Sequence, residues 1–203
     1  MGINYDRTIE DRSLLRALDP SAEKRSLWFV FRTTGSFILR SLFQMMLSRW
    51  RRYGFACVNF GTPLSVKTYC REQKVDFSRL PRIERFPEIE KLCRRLMRTI
   101  ADVVPVLPVS LVCRVFLDAG DTAIDIMDVE SRCNQLIAKL QESGAPILET
   151  PRSTRAHAIA DAVDLLMLRG IVAESDGKFK ATPEEGAILN YYANAIGHWL
   201  QPH

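Results

Sequence analysis

The run Phe55-Ala56-Cys57-Val58-Asn59-Phe60 is followed at once by Gly61-Thr62-Pro63. Apolar, β-branched and aromatic residues are typical of a strand, and the Gly and Pro residues end it before a short predicted helix at residues 65–71. Residues 1–5, Met-Gly-Ile-Asn-Tyr, also have a strand pattern, and no strand precedes them in the sequence. Because helical patterns surround both runs, we predict an α/β fold, with part of its sheet encoded upstream.

Charge divides the chain into two unlike halves. Residues 1–98 carry 20 Lys and Arg against 10 Asp and Glu, a net charge of +10, whereas residues 99–203 carry 8 against 14, a net charge of −6. A basic half suits anionic phospholipid headgroups, phosphate-bearing substrates or nucleic acid. An acidic second half is compatible with the first two, so we predict no nucleic-acid partner.

The cysteines indicate a reducing compartment. Cys57, Cys70, Cys93, Cys113 and Cys133 lie 13 to 23 residues apart and form no Cys-x-x-Cys pair. In a chain without a recognisable signal peptide, this spacing is typical of reduced thiols in the cytoplasm. We predict neither disulfides nor a metal site.

Residues 37–52 repeat apolar side chains with the 3.6-residue period of an amphipathic helix. Arginines interrupt the apolar stretch over residues 27–50, which leaves no uncharged run of the roughly 18 residues that a membrane span needs. The helix either covers a sheet or lies among lipid headgroups. In the second interpretation the membrane-contact residues are Arg40, Arg49, Trp50, Arg51 and Arg52.

The second half of the chain is mostly helical by its pattern. Helices are predicted at residues 87–104, 109–117, 128–141 and 154–169, the last closed by Gly170. Asp176-Gly177 is a typical hairpin turn, and a last helix is predicted at residues 183–199. Three helices, a hairpin and a closing helix are the arrangement of a winged helix. Residues 76–87, with two prolines, are the predicted linker before it.

Five blocks of the sequence resemble the C-terminal third of the bacterial membrane glycerol-3-phosphate acyltransferases, in the same order and at similar spacing. They are residues 2–7 (Gly-Ile-Asn-Tyr-Asp-Arg), 14–18, 23–27, 58–65 and 191–198 (Tyr-Tyr-Ala-Asn-Ala-Ile-Gly-His). The related mitochondrial and peroxisomal acyltransferases are similar in the first three. The resemblance implies that residues 1–80 are the C-terminal part of an acyltransferase α/β domain. Residues 81–203 are then a mostly helical, winged-helix-like domain.

The resemblance implies acyl transfer from acyl-CoA or acyl-carrier protein to the 1-hydroxyl of glycerol 3-phosphate, without a cofactor. This chemistry needs a general base, a carboxylate that orients it and cations for the phosphate. In the family a His-x-x-x-x-Asp motif supplies the first two and a Glu-Gly-x-x-Ser-Arg segment binds the phosphate. Neither is present, since Ala162 stands five positions after His157, and His203, the last residue, five after His198. We assign no catalytic residue and expect an inactive fragment of such an enzyme.

The opening block of the resemblance implies substrate binding by Tyr5 and Arg7, near the acceptor site. The family also implies a peripheral position on the cytoplasmic face of the inner membrane, against anionic lipid. His157 and Asp161 stand four residues apart on a predicted helix, a spacing that is typical of a surface pair.

Two other interpretations remain open. The chain could be an independent, non-catalytic module that binds lipid or a protein partner. It could also be a winged-helix nucleic-acid-binding protein, on the pattern of residues 107–199. The helix that would enter a DNA groove carries Asp161 and Asp164, which neutralise phosphate poorly.

Overall fold

The computed structural model describes residues 1–8, 11–17, 54–148 and 154–200. Within these ranges the fold mixes helices with two small sheets. In chain order the elements are β1 (Gly2–Tyr5), α1 (Asp11–Ala17), β2 (Ala56–Asn59), α2 (Val66–Gln73), α3 (Arg82–Ala101), α4 (Pro108–Ala119), β3 (Ile124–Asp125), α5 (Ile126–Glu142), α6 (Arg155–Leu168), β4 (Val172–Ser175), β5 (Lys178–Ala181), α7 (Gly186–Ala193) and α8 (Gly197–Leu200). Short 3-10 turns, Pro183–Glu185 and Asn194–Ile196, flank α7.

Both predicted strands of the first half are confirmed, and they pair with each other. β1 and β2 are antiparallel, with Gly2 opposite Asn59 and Tyr5 opposite Ala56. One partner of β1 therefore lies downstream in the same chain. A Cβ on Gly2 would lie 2.8 Å from the backbone of Val103, so only glycine lets β1 pack directly on the segment after α3.

The apolar core lies in the second half and centres on α4. Val109, Val112 and Phe116 are among its fully buried side chains, and α4 contacts α5, α6 and α7. A helix that is apolar on nearly every face must be surrounded by other elements. Burying a Phe side chain stabilises a fold by about 1.5–3 kcal/mol, and Phe116→Ala would cost about 3–5 kcal/mol because it also leaves a cavity.

The helices and hairpin predicted for residues 109–180 are confirmed. Thr154 accepts a hydrogen bond from the backbone N–H of His157 and caps α6, and Gly170 after α6 has a φ of 72°. Asp176 and Gly177 both have positive φ, as a two-residue type I′ hairpin turn requires. β5 lies between β3 and β4 in an antiparallel sheet. The description of this part as a winged helix stays a prediction.

Two helix predictions differ from the structure. α3 begins at Arg82 and contains Pro87, whereas the sequence pattern predicted a linker over residues 76–87 and a helix only from residue 87. Pro87 removes the N–H that would bond the carbonyl of Ile83, and Ile83 is 86% exposed, at a position where solvent is at hand. The helix predicted at residues 183–199 is divided by 3-10 turns, which keep the same apolar side chains inward and are common at helix ends.

The predicted amphipathic helix at residues 37–52, with its proposed membrane contacts, lies outside the described residues. Among the helices that are described, none combines the length and the apolar character needed to span a bilayer. The cysteines Cys57, Cys70, Cys93, Cys113 and Cys133 are all free.

β1 is bonded to the start of the helical core. The side-chain Nδ2 of Asn4 donates to the carbonyl of Pro105 at 2.8 Å and to Oγ of Ser110 at 3.4 Å. These bonds cross the predicted boundary between residues 80 and 81, which itself stays a prediction. They fix the position of the first strand relative to α4.

Candidate functional site

A half-open cavity of about 430 Å³ lies where β1, the C-terminal half of α3 and residues 191–198 meet. Cavities that bind small molecules commonly enclose roughly 300–1,000 Å³, with an apolar lining and a few polar groups. The two ends of the described chain thus converge on one concave surface. Its size and composition make it the candidate site.

One wall of the cavity is aliphatic. Ile3 of β1 faces Met97, Ile100 and Val104 from α3 and the segment after it. Ile3 is available to the cavity because side chains alternate along a strand, and its neighbours Gly2 and Asn4 are the buried ones. Met97, 63% exposed, stands at the mouth. This wall suits an alkyl chain.

Most of the remaining lining is polar. Tyr5, Tyr191 and Asn194 line the cavity, and their side-chain polar atoms form no hydrogen bond within the described residues. His198 Nε2 lies 2.9 Å from the carbonyl of Ala101. Since a carbonyl only accepts, Nε2 must carry the hydrogen, which leaves Nδ1 as an acceptor in the neutral ring. The cavity therefore offers several hydrogen-bonding groups to a ligand.

Tyr192 connects the cavity to a buried ion pair behind it. Its hydroxyl donates to Asp11 at 2.5 Å and accepts from Arg169 at 2.9 Å and from the backbone N–H of Thr8 at 3.0 Å. Arg169 also bonds Asp11 directly and lies over the Tyr192 ring, 5.3 Å from its centre. Tyr191 meets the same ring edge-on, with centres 5.2 Å apart. This network fixes both tyrosines.

The electrostatics of the site follow from that network. Burial, followed by the hydrogen bond to Asp11, raises the pKa of Tyr192 above its usual value, so its hydroxyl stays a donor at neutral pH. Asp11 and Arg169 oppose each other behind the wall, and the described lining residues include no Asp, Glu, Lys or Arg. The cavity consequently presents dipoles rather than net charge.

Asp6 joins the strands to the helical core beside this site. Its carboxylate accepts the backbone N–H of Phe55 at 2.9 Å and that of Val109, in the first turn of α4, at 3.1 Å. Acceptors are favoured at a helix N-terminus, where N–H groups lack partners in the helix. Burial nevertheless raises the pKa of Asp6 from 3.8 to about 6, against the lowering by these two bonds.

Residues 58–65, another block of the acyltransferase resemblance, contribute to a second cavity of about 290 Å³. Thr62, Pro63 and Ser65 line it together with Arg95 of α3. Glu72 lines the same cavity, and its carboxylate is 2.9 Å from the Arg95 guanidinium, so a negative charge accompanies the arginine. This pairing makes the second cavity a weaker anion site than its single arginine suggests.

The predicted site residues do not all lie at the larger cavity. Tyr5 lines the larger cavity, whereas Arg7 follows β1 as a half-buried residue and does not line it. His157 contacts Thr154, with Nδ1 2.5 Å from Oγ1, on the exposed start of α6. The proposed membrane contacts Arg40, Arg49, Trp50, Arg51 and Arg52 lie outside the described residues. In the described part no group of three or more His, Cys, Asp or Glu could hold a metal ion.

Tyr192, Asn194 and His198 line the cavity but were not predicted as site residues from the sequence. All three belong to the block at residues 191–198 that carried the acyltransferase resemblance, so the signal was present but was not interpreted as a site. Asp11 and Arg169 had no comparable signal. An aspartate and an arginine 158 residues apart give no sequence pattern that pairs them.

Comparison with known proteins identifies the family. A search of curated proteins returned no match. The family model that describes the glycerol-3-phosphate acyltransferase C-terminal region matches residues 39–203, most of the chain. The expected family is confirmed: this chain belongs to the C-terminal-region family of glycerol-3-phosphate acyltransferases.

Proposed function

We propose that the chain is part of a glycerol-3-phosphate 1-O-acyltransferase, which transfers an acyl group from acyl-CoA or acyl-carrier protein to glycerol 3-phosphate in the first step of phospholipid biosynthesis. Membership of the C-terminal-region family supports this activity. The observation that carries the proposal is the meeting of residues 2–7 and 191–198 at one cavity, since these are the first and last blocks of the family resemblance.

The chain alone is proposed to be inactive. Proton removal from the acceptor hydroxyl needs a base that a carboxylate orients. The sequence has three histidines, and none is followed five positions later by an aspartate. His198 is committed through Nε2 to the carbonyl of Ala101, and His157 contacts Thr154. The base is therefore proposed to come from residues outside this sequence, and the residues of this chain supply substrate binding and support.

A domain exchange tests the proposal. The C-terminal region of an active family acyltransferase is replaced by this chain, and transfer of labelled glycerol 3-phosphate into lipid is measured. We expect the chimera to form product, the enzyme without a C-terminal region to form little, and the isolated chain none. A truncated enzyme as active as the chimera would overturn the proposal, and turnover by the isolated chain would overturn its inactivity.

We also propose that the protein is peripheral on the cytoplasmic face of the inner membrane, in contact with anionic lipid. In the described part α3 supports this proposal, because this 20-residue helix buries none of its residues. Ile83, Phe86 and Met97 are exposed on it, and Arg94 and Arg98 lie on the neighbouring part of its surface. Apolar side chains beside arginines are typical of helices that lie in the headgroup region. The same observation supports the alternative of a non-catalytic lipid- or partner-binding module.

A further inference from the structure

The two substrates of the proposed reaction differ in charge where they would bind, and the larger cavity suits the one with an uncharged end. Glycerol 3-phosphate is small and anionic, and a phosphate needs arginine, lysine or several converging N–H groups. The described lining has no such cation, and Arg169 behind it is already bonded to Asp11 and Tyr192. An anionic acceptor would meet only neutral hydrogen-bonding groups in the described lining, which compensate poorly for the lost hydration of a phosphate. The occupant must bring an uncharged portion to this cavity.

The distribution of polar groups restricts that portion further. Ile3, Ile100 and Val104 form the aliphatic wall, and Tyr5 and Asn194 have unused hydrogen-bonding groups across the cavity. An alkyl chain next to amide groups matches both halves of this lining, because amides donate and accept whereas the alkyl chain requires neither. The acyl-pantetheine arm, which acyl-CoA and acyl-carrier protein share, has this composition.

The cavity also continues along α3 into an exposed apolar surface. Phe86, Ile89, Cys93 and Met97 recur at three- and four-residue intervals, so they share one side of the helix. All four are exposed, and Met97 is the one at the cavity. An alkyl chain longer than the cavity can therefore extend along these side chains toward Arg82, whose guanidinium lies 6.0 Å from the centre of the Phe86 ring.

We propose that the cavity between β1, α3 and residues 191–198 binds the acyl-pantetheine end of the acyl donor. This inference rests on the proposed function. It assigns Tyr5 to the donor rather than to the acceptor, and it gives Asn194 and His198 the task of orienting the pantetheine amides. Tyr192 acts as a positioning residue, because its hydroxyl is bonded to Asp11, Arg169 and Thr8.

Photo-crosslinking of the full chain tests the site directly. The probe is palmitoyl-CoA with a diazirine in its alkyl chain, and labelled peptides are mapped by mass spectrometry. We expect labelling within residues 97–104 and 191–198, and protection by excess palmitoyl-CoA and by palmitoyl-acyl-carrier protein. Protection by only one of these two donors would show whether acyl-CoA or acyl-carrier protein supplies the acyl group. Equal protection by CoA or glycerol 3-phosphate would overturn the inference, as would labelling confined to other residues.

A matched pair of substitutions provides the control. Met97→Trp fills the mouth of the cavity from an exposed position, and Met127→Trp places the same side chain on exposed α5. Because the larger side chain occupies space that the probe needs, we expect labelling to fall roughly tenfold in Met97→Trp and to stay unchanged in Met127→Trp. Equal labelling in both variants, with unchanged melting temperatures, would overturn the site.

The chimera separates failure of this inference from failure of the proposed function. With Met97→Trp in the chimera, we expect KM for acyl-CoA to rise and KM for glycerol 3-phosphate to stay constant. An active chimera that Met97→Trp does not affect would overturn the inference and leave the function standing. An inactive chimera whose chain is still labelled in residues 97–104 would overturn the function and leave the binding site standing.

Discussion

Asp11 and Arg169 form an ion pair across 158 residues of sequence, with side chains only 3% and 10% exposed. Tyr192 completes it, since its hydroxyl bonds both residues. Buried pairs of this kind often add little net stability over apolar residues, but removing one partner leaves an uncompensated charge in the protein interior. The pair therefore makes α1, α6 and α7 interdependent.

Asp11→Asn is expected to lower the free energy of unfolding by about 3–5 kcal/mol, because Arg169 would keep a buried charge without its counterion. Urea denaturation followed by circular dichroism measures this. Asp118→Asn is the matched control, since Asp118 pairs with Arg114 on the exposed surface of α4 and such pairs contribute about 0–1 kcal/mol. In the double variant with Arg169→Met the losses should be far from additive. Additive losses would contradict coupling.

Tyr192→Phe is expected to cost about 1–3 kcal/mol, because the backbone N–H of Thr8 and the Asp11–Arg169 pair lose a buried partner. Tyr191→Phe is the control, as its ring packs on Tyr192 but its hydroxyl bonds nothing in the described part. Thermal melting compares the two. If the two variants have the same melting temperature, the hydrogen bonds of the Tyr192 hydroxyl do not stabilise the fold.

The stability of the protein should carry a pH dependence from Asp6. Its pKa is raised from 3.8 to about 6, so between these values the folded state binds a proton that the unfolded state has released. Stability from this group is therefore greatest below pH 4 and falls by up to about 3 kcal/mol as pH rises through 6.

The measurement for Asp6 is the unfolding free energy of the wild type minus that of Asp6→Asn, from pH 4 to pH 7. This difference removes the contributions of all other carboxylates. We expect it to decrease with rising pH. The same subtraction with the exposed Asp121→Asn is the control, and a difference for Asp6 that increases with pH would contradict the prediction.

Gly2→Ala is expected to displace β1 from the segment after α3, since its Cβ would lie 2.8 Å from the backbone of Val103 and backbone cannot rotate away. Overpacking of this kind costs about 1–3 kcal/mol. Gly186→Ala is the matched control, because a methyl group added there would meet no atom within 4 Å and the φ of Gly186 is not in the left-handed region. Calorimetry should show a lower melting temperature for Gly2→Ala alone.

Vesicle co-sedimentation tests the proposed membrane contact. Reversing Arg40, Arg49, Arg51 and Arg52 to Glu should weaken binding to anionic vesicles, since each basic residue near the surface contributes about 1 kcal/mol. Replacing Ile83 and Phe86 by Asp tests α3 separately, with the exposed Met127→Asp as control. Binding that none of these changes alters would refute the interfacial role, and neutral vesicles should bind weakly throughout.

Local patterns predicted local structure well in this chain. The Asp176-Gly177 turn, the end of α6 at Gly170 and the helix at residues 109–117 each depend on residues near in sequence, and all were confirmed. Pro87 misled the prediction because a proline is unfavourable in a helix without always ending it, and here it is the sixth residue of an exposed helix. Tyr5 was predicted to bind substrate, but Tyr192 and His198, which line the same cavity, come from the far end of the sequence, and no local pattern joins them to Tyr5.

The pairing of Gly2–Tyr5 with Ala56–Asn59 has a consequence for the order of folding. α4, α5 and α6 with the hairpin close through short connections, whereas β1 must find partners more than fifty residues away, at a larger loop-closure entropy. We expect the amides of β2 and β1 to exchange hydrogen for deuterium before those of α4 do. The ligand cavity would then be the last part of the described chain to assemble and the first to open.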